Sequence, residues 1–290
     1  MFFYIKKIKH FLEFLIFGLY YRVMRPFCNK NTYKLSWDAK FNNFGDIITP
    51  YILENISDAK FQRIDKSQYY PYEHYFVIGS ILDRATKHTI VWGSGLISED
   101  SVPIESPQKV YAVRGPKTRK KLLELGIECP EIYGDPALLL PRIYHPKIEK
   151  KYKLGIIPHY ADKSTPWLHH LDLGDEIKII DIQAEDPLDF IRELLACQRI
   201  ASSSLHGIIT ADAYRIPSLW LEFSDKVKGE GFKFYDYFLS VGRKDTTPFM
   251  VTQTTTIPQI MESFSEYSIE IDLDRLLEVC PFGCKKNDTH

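Results

Sequence analysis

An excess of charge of either sign is missing from this 290-residue chain: 37 Lys and Arg stand against 38 Asp and Glu, a formal net charge of −1. A dedicated nucleic-acid binder rests its affinity on basic side chains facing phosphates, so that class is excluded and any basic patch must be local. Paired cysteines are scarce too. The five (Cys28, Cys129, Cys197, Cys280, Cys284) are odd in number and scattered, with no C-x-x-C pair and no His-rich metal spacing. They read as reduced thiols in a cytosolic compartment, Cys280 and Cys284 alone being close enough for a disulfide or a metal. No apolar run is long enough to cross a bilayer. What the chain does have is 44% hydrophobic residues, enough for one large or two medium globular domains.

Residues 1–27 differ in composition from the rest. Ile5, Ile8, Leu12, Leu15, Ile16, Leu19 and Val23 recur at helical spacing, with Lys6, Lys9, His10 and Glu13 on the other side. The spacing predicts an amphipathic helix. Glu13 inside the apolar run argues against a transmembrane span, and Arg22, Arg25 and Pro26, with no small-residue cleavage site, argue against a signal peptide. Phe2, Phe3, Phe11, Phe14 and Phe17 widen the apolar face, and the flanking cations suit anionic headgroups. Attachment to a membrane interface is the expectation; packing on the chain's own body or on a second subunit is the alternative.

Beyond residue 27, strands and helices alternate. Tyr33–Trp37 reads as a strand, and Asn43, Gly45 and Asp46 lie at a turn before a helix with Ile48, Ile52, Leu53 and Ile56 on one face. A short polar side chain there caps the helix or touches a ligand. Two strand candidates, 75–80 and 89–95, both end in Gly-Ser, the second as Gly93-Ser94-Gly95, where a backbone can approach a ligand or simply turn. A third strand, 109–113, delivers Arg114 to its carboxyl end, suited to a bidentate grip on a carboxylate or phosphate. Residues 142–151, with charge and proline, read as a linker. The second half brings His159 just past a buried strand and then Ser202-Ser203-Ser204-Leu205-His206-Gly207, a strand, a tight turn and a helix N-terminus suited to an anion. Gly229–Tyr237 enters an aromatic helix carrying Lys233. The expected fold is α/β: two Rossmann-like domains, 28–141 and 152–265, facing a cleft, with a helical tail over 266–290.

Asn43-Phe44-Gly45-Asp46, Gly93-Ser94-Gly95, Val113-Arg114-Gly115-Pro116, Gly134-Asp135-Pro136, Ile157-Pro158-His159-Tyr160, Ser204-Leu205-His206-Gly207 and Phe232-Lys233-Phe234 follow one another in this order. The set resembles the polysaccharide pyruvyl transferases. That resemblance implies a glycosyltransferase-B-like frame, phosphoenolpyruvate as donor and co-substrate with no separate cofactor, and a sugar acceptor that receives pyruvate as a ketal. It carries over to Arg114 and His206 as donor residues. Some members have an arginine two residues before that histidine; here Ser204 stands there, and Lys233 is the candidate for the missing charge.

Phosphoenolpyruvate bears a carboxylate and a phosphate, so its site needs cations and aligned amides: Arg114, Ser204, Leu205, His206, Gly207 and Lys233 form the expected donor side. Ketal formation needs an acid and a base, for which His206, His159 and Asp46 are candidates beside Arg114. Asn43, Gly45, Asp46 and Gly93–Gly95 form the expected acceptor side, and no metal is called for. The amphipathic N-terminus suits a lipid-linked oligosaccharide at the inner face of the cytoplasmic membrane. Two other readings stand beside this one: a nucleotide-sugar glycosyltransferase of the same frame, and a membrane-associated glycan-binding protein without catalysis.

Overall fold

The computed structural model describes residues 12, 13, 15–21, 23, 32–38, 42–171, 173–224, 227 and 229–285. Two parallel five-stranded sheets organise the chain. The first is formed by β1 (Thr32–Ser36), β2 (Lys60–Arg63), β3 (His74–Phe76), β4 (Thr89–Trp92) and β5 (Lys109–Ala112) in the order β2-β1-β3-β4-β5. The second is formed by β6 (Tyr152–Ile157), β7 (Ile177–Ile179), β8 (Cys197–Ser202), β9 (Ser218–Glu222) and β10 (Phe249–Met250) in the order β10-β9-β8-β6-β7. β4, a continuous Thr-Ile-Val-Trp run, is buried throughout, as a strand covered on both faces must be.

Counted within each sheet, both follow the doubly wound order 2-1-3-4-5. The strand order therefore reverses between β1 and β3 in the first sheet and between β6 and β8 in the second, and a crevice opens at the carboxyl ends of each pair. Chain signals set those ends. Ser36 closes β1, and α1 (Phe44–Ile56) buries Phe44, Ile48, Ile52, Leu53 and Ile56 along one face. The strands expected over 75–80 and 89–95 stop at Phe76 and Trp92, because Gly79 and Gly93 take φ values of +104° and +98° that turn the backbone out of the ladder. β2 and β10 carry no alternating apolar pattern, and each is an edge strand.

The two halves are locked together beside the cleft. The Phe44 amide donates to Ile182 O at 2.8 Å, and the Phe44 and Phe190 rings meet at 4.2 Å. Phe190 belongs to α5 (Pro187–Leu195) in the second half. The helix α7 (Phe232–Ser240) lies against α2 (Pro116–Glu124) of the first half, α3 being Leu140–Ile143, α4 Pro166–His170 and α6 Leu205–Ala213. α8 (Ile257–Glu262) precedes the tail expected as helical over 266–290; the tail itself holds α9 (Leu273–Glu278) and then returns to the first sheet. Trp92 Nε1 donates to Leu276 O, Ser57 Oγ to Phe282 O, and the Phe282 ring sits among Tyr33, Phe61, Tyr75 and Trp92 at centroid distances of 5.0–6.1 Å.

Of the predicted N-terminal helix, residues 12, 13, 15–21 and 23 are described and are helical; Phe2, Phe3, Ile5, Lys6, Ile8, Lys9, His10, Phe11, Phe14, Arg22, Arg25 and Pro26 lie outside the described residues. The side bearing Glu13, Phe17 and Tyr21 is the one turned inward. Glu13 accepts from Tyr69 Oη at 2.8 Å and pairs with Lys66, Phe17 stacks on Tyr69, and Tyr21 Oη donates to Asp65 O. Leu12, Leu15, Ile16, Leu19 and Val23 consequently face outward, 49–65% exposed. No described helix is long and apolar enough to cross a membrane.

Candidate active site

At the end of β8 the serines hold the turn. Ser202 Oγ lies 2.9 Å from both Ile157 O and Ser204 O, Ser203 Oγ donates to Asp162 at 2.8 Å, and the His159 amide donates back to Ser203 Oγ. Ser204 begins α6 through its carbonyl, which accepts from the Gly207 and Ile208 amides. Those two amides are therefore taken; among the described residues nothing accepts from the Leu205 and His206 amides. The Leu205 side chain is in the core, and a Cβ on Gly207 would stand 2.3 Å from Ser202 Oγ, so Gly207 lets the helix close on the strand end.

His206 projects from the first turn of α6 across the crevice to α1. Its ring lies directly on Gly45, where a Cβ would come within 1.8 Å of Nδ1. Asp46, next in the same turn, is pushed up to about 6, first by burial, with the His206 charge and a hydrogen bond from Asn43 acting the other way. Asn43 Oδ1 is buried without a partner among the described residues. Asp46 Oδ1 also lies 3.5 Å from where a Cβ of Gly79 would be, which places the carboxylate at the β1/β3 reversal.

Lys233 enters from the first turn of α7. Burial and the Arg114 charge push its ammonium down to about 8, while Asp46 and Asp162 pull it up. Among the described residues no carboxylate lies within 4 Å of its Nζ, so the cleft holds a cation that is felt by several groups and paired with none. His159 is pushed down to about 3 by burial and then by Lys233. The expectation that it titrates near neutrality does not fit this environment. Its Nδ1 accepts from the Ala161 amide, so the neutral ring carries its proton on Nε2 and acts as a fixed donor.

Arg114 is 1% exposed. Nε donates to Asp236 at 3.0 Å, Nη2 stands 3.0 Å from the same carboxylate and donates to Leu96 O, and Nη1 donates to Ser80 Oγ. Asp236 also accepts from Thr118 through both its amide and its hydroxyl. Both forked edges of the guanidinium are thus filled by protein, and a bidentate grip on a donor anion would require exchanging those bonds. Gly115 allows this joint, since a Cβ there would stand 1.9 Å from Asp236 O. The Gly93-Ser94-Gly95 stretch lies behind it: Gly93 abuts Pro136, Ser94 Oγ donates to Gly79 O, and Gly95 packs on the Arg114 guanidinium. These three build the wall that carries the site rather than its lining.

Sequence reasoning assigned no role to Asp135, Asp162 or Asp236. Gly134-Asp135-Pro136 was visible as a motif, but only the fold brings Asp135 Oδ2 to 3.5 Å from His206 Nε2. No cluster of three or more His, Cys, Asp or Glu among the described residues could hold a metal ion.

Set against known proteins, residues 4–225 match the family model described as polysaccharide pyruvyl transferase. The chain belongs to the polysaccharide pyruvyl transferase family. It is 34% identical over 207 residues to the uncharacterized protein L143 of Acanthamoeba polyphaga mimivirus, covering 69% of this chain and 71% of that one. It is 28% identical over 218 residues to the succinoglycan biosynthesis protein ExoV of Rhizobium meliloti (strain 1021), covering 71% of this chain and 64% of that one. No solved structure matches it. The pyruvyl transferase match spans both sheets as far as β9 and stops before α7, so Lys233 and Asp236 lie outside it.

Proposed function

We propose that this chain transfers the pyruvyl group of phosphoenolpyruvate to two hydroxyls of one sugar in a glycan, forming a pyruvate ketal and releasing phosphate, on a glycosyltransferase-B-like frame. The observation that carries this reading is the meeting of Asp46, His206 and Lys233, unpaired among the described residues, where the two strand-order reversals face each other. A trianionic donor needs such a cation and the open Leu205 and His206 amides.

On this reading His206 protonates the methylene carbon of the donor while an acceptor hydroxyl attacks the neighbouring carbon and Asp46 takes that hydroxyl's proton. A second hydroxyl then attacks the same carbon, the bond to the phosphate oxygen breaks, and the remaining proton leaves with phosphate. His159, held neutral, donates a hydrogen bond from Nε2. Arg114 serves through its buried charge and by fixing Ser80 and α7, in place of the direct clamp expected from sequence. The acceptor is lipid-linked, and the outward aliphatic side of the N-terminal helix supports placing the enzyme on the inner face of the cytoplasmic membrane.

The test supplies phosphoenolpyruvate or nucleotide sugars with a candidate lipid-linked glycan. Phosphate release with a pyruvyl mass gain in the glycan, abolished in His206→Ala, is the expected result. Release of a nucleoside diphosphate instead would put the chain among glycosyltransferases, and turnover unaffected by His206→Ala would remove His206 from the chemistry.

A further inference from the structure

We propose that Asp135 is the positioning residue for His206, holding the ring with its proton on Nε2 and leaving Nδ1 to work in the cleft. This rests on the reading of His206 as the proton-transferring group. Gly134 reaches this place with φ of +138°, and Pro136 packs on Gly93, so Asp135 enters a rigid turn between the first sheet and α6. The 3₁₀ turn Pro136–Leu139 that follows is entirely buried. Asp135 itself is 1% exposed, and its two oxygens are divided: Oδ1 caps the turn by accepting from the Ala137 amide at 2.9 Å, and Oδ2 faces His206 Nε2 at 3.5 Å.

The two nitrogens of His206 differ in kind. Nε2 is shut off from solvent and, among the described residues, has no hydrogen-bond partner other than this approach. Nδ1 is not shut off, and among the described residues nothing bonds to it; it lies over Gly45 on the cleft side. A buried carboxylate oxygen opposite a buried ring nitrogen draws the ring proton to that nitrogen and stabilises the imidazolium when the other nitrogen is protonated. The approach is a few tenths of an ångström longer than a hydrogen bond, a gap of the kind that closes when a ligand occupies a site. Charged and titratable groups facing the ring are Asp46 from α1 and Asp135 from the cap of the 3₁₀ turn, with Lys233 of α7 and the neutral His159 further along the cleft.

The experiment reads the tautomer directly. Long-range proton–nitrogen spectra of the ¹⁵N-histidine-labelled protein, with the His206 signals assigned by their loss in His206→Gln, are recorded for the wild-type chain and for Asp135→Asn. The expected wild-type result is neutral His206 protonated on Nε2. In Asp135→Asn that preference is lost, and kcat falls about a hundredfold while KM for phosphoenolpyruvate stays within about threefold. A wild-type ring protonated on Nδ1 overturns the proposal without any variant, as does a folded Asp135→Asn protein with unchanged tautomer or unchanged kcat. The spectra need no turnover. A tautomer that depends on Asp135 in a chain inactive with phosphoenolpyruvate would leave the positioning intact and remove the proposed reaction.

Discussion

Asp46 and Lys233 place opposite limits on the working pH. Asp46 is a base only when ionised, above about 6, and Lys233 is a cation only below about 8. Activity with phosphoenolpyruvate is expected to fall on the acid side through about 6, and KM for the donor to rise on the alkaline side through about 8; Lys233→Arg should flatten only the alkaline limb, as measured by initial rates across the range. Stability carries the same signature. Because burial raises the folded-state pKa of Asp46, its protonated form is the one folding favours, and the cost of ionising it appears as pH rises from about 4 through about 6. Asp46→Asn should therefore melt like the wild type at pH 3.5 and be about 1–2 kcal/mol more stable at pH 7.5, a discounted figure because the carboxylate opens onto the cleft. Arg114 makes the contrasting case. Arg114→Ala strands the Asp236 carboxylate in the core and should cost about 3 kcal/mol or more in urea unfolding, whereas Lys233→Ala should leave stability unchanged or improved.

At the scale of elements, much was readable. The positions of β1, α1, β4, α2, β8, α6 and α7 follow from apolar runs bounded by Gly, Pro and Ser, and His206, Asp46 and Lys233 were legible because each sits just past a strand or at a helix start. The fold of the site was not. That Arg114 is a joint depends on Asp236, which is 122 residues away in the chain, and that Asp135 matters depends on α6 folding back over the turn. Neither distance leaves a trace in local spacing. The N-terminal helix shows the same limit: periodicity gives its two faces but cannot say which is turned inward, and Tyr69 and Lys66 settled that by meeting Glu13. With its aliphatic face outward, the full chain is expected to sediment with vesicles containing anionic lipid and to lose at least tenfold in partitioning in a Leu15→Ser, Leu19→Ser double variant; equal partitioning of the two would assign that face to another partner.

Across the whole molecule, the cleft owes its shape to contacts that cross between the halves: Phe44 with Ile182 and Phe190, Arg114 with Asp236, and His206 on Gly45. Such joints fix the acid and base groups relative to each other at rest, before donor arrives. The Phe282 ring is a remote member of the same construction, since it completes the aromatic cluster beneath the first sheet. Phe282→Ala is expected to cost about 3–5 kcal/mol in denaturant unfolding. That ring also orders events in time. As the chain emerges from a ribosome, the first sheet has all its own strands by residue 112 yet lacks its last core side chain until residue 282 is made. The first half therefore waits, incomplete and with an apolar hole, through the synthesis of the entire second half, and nascent chains halted between these points should be the ones that chaperones hold.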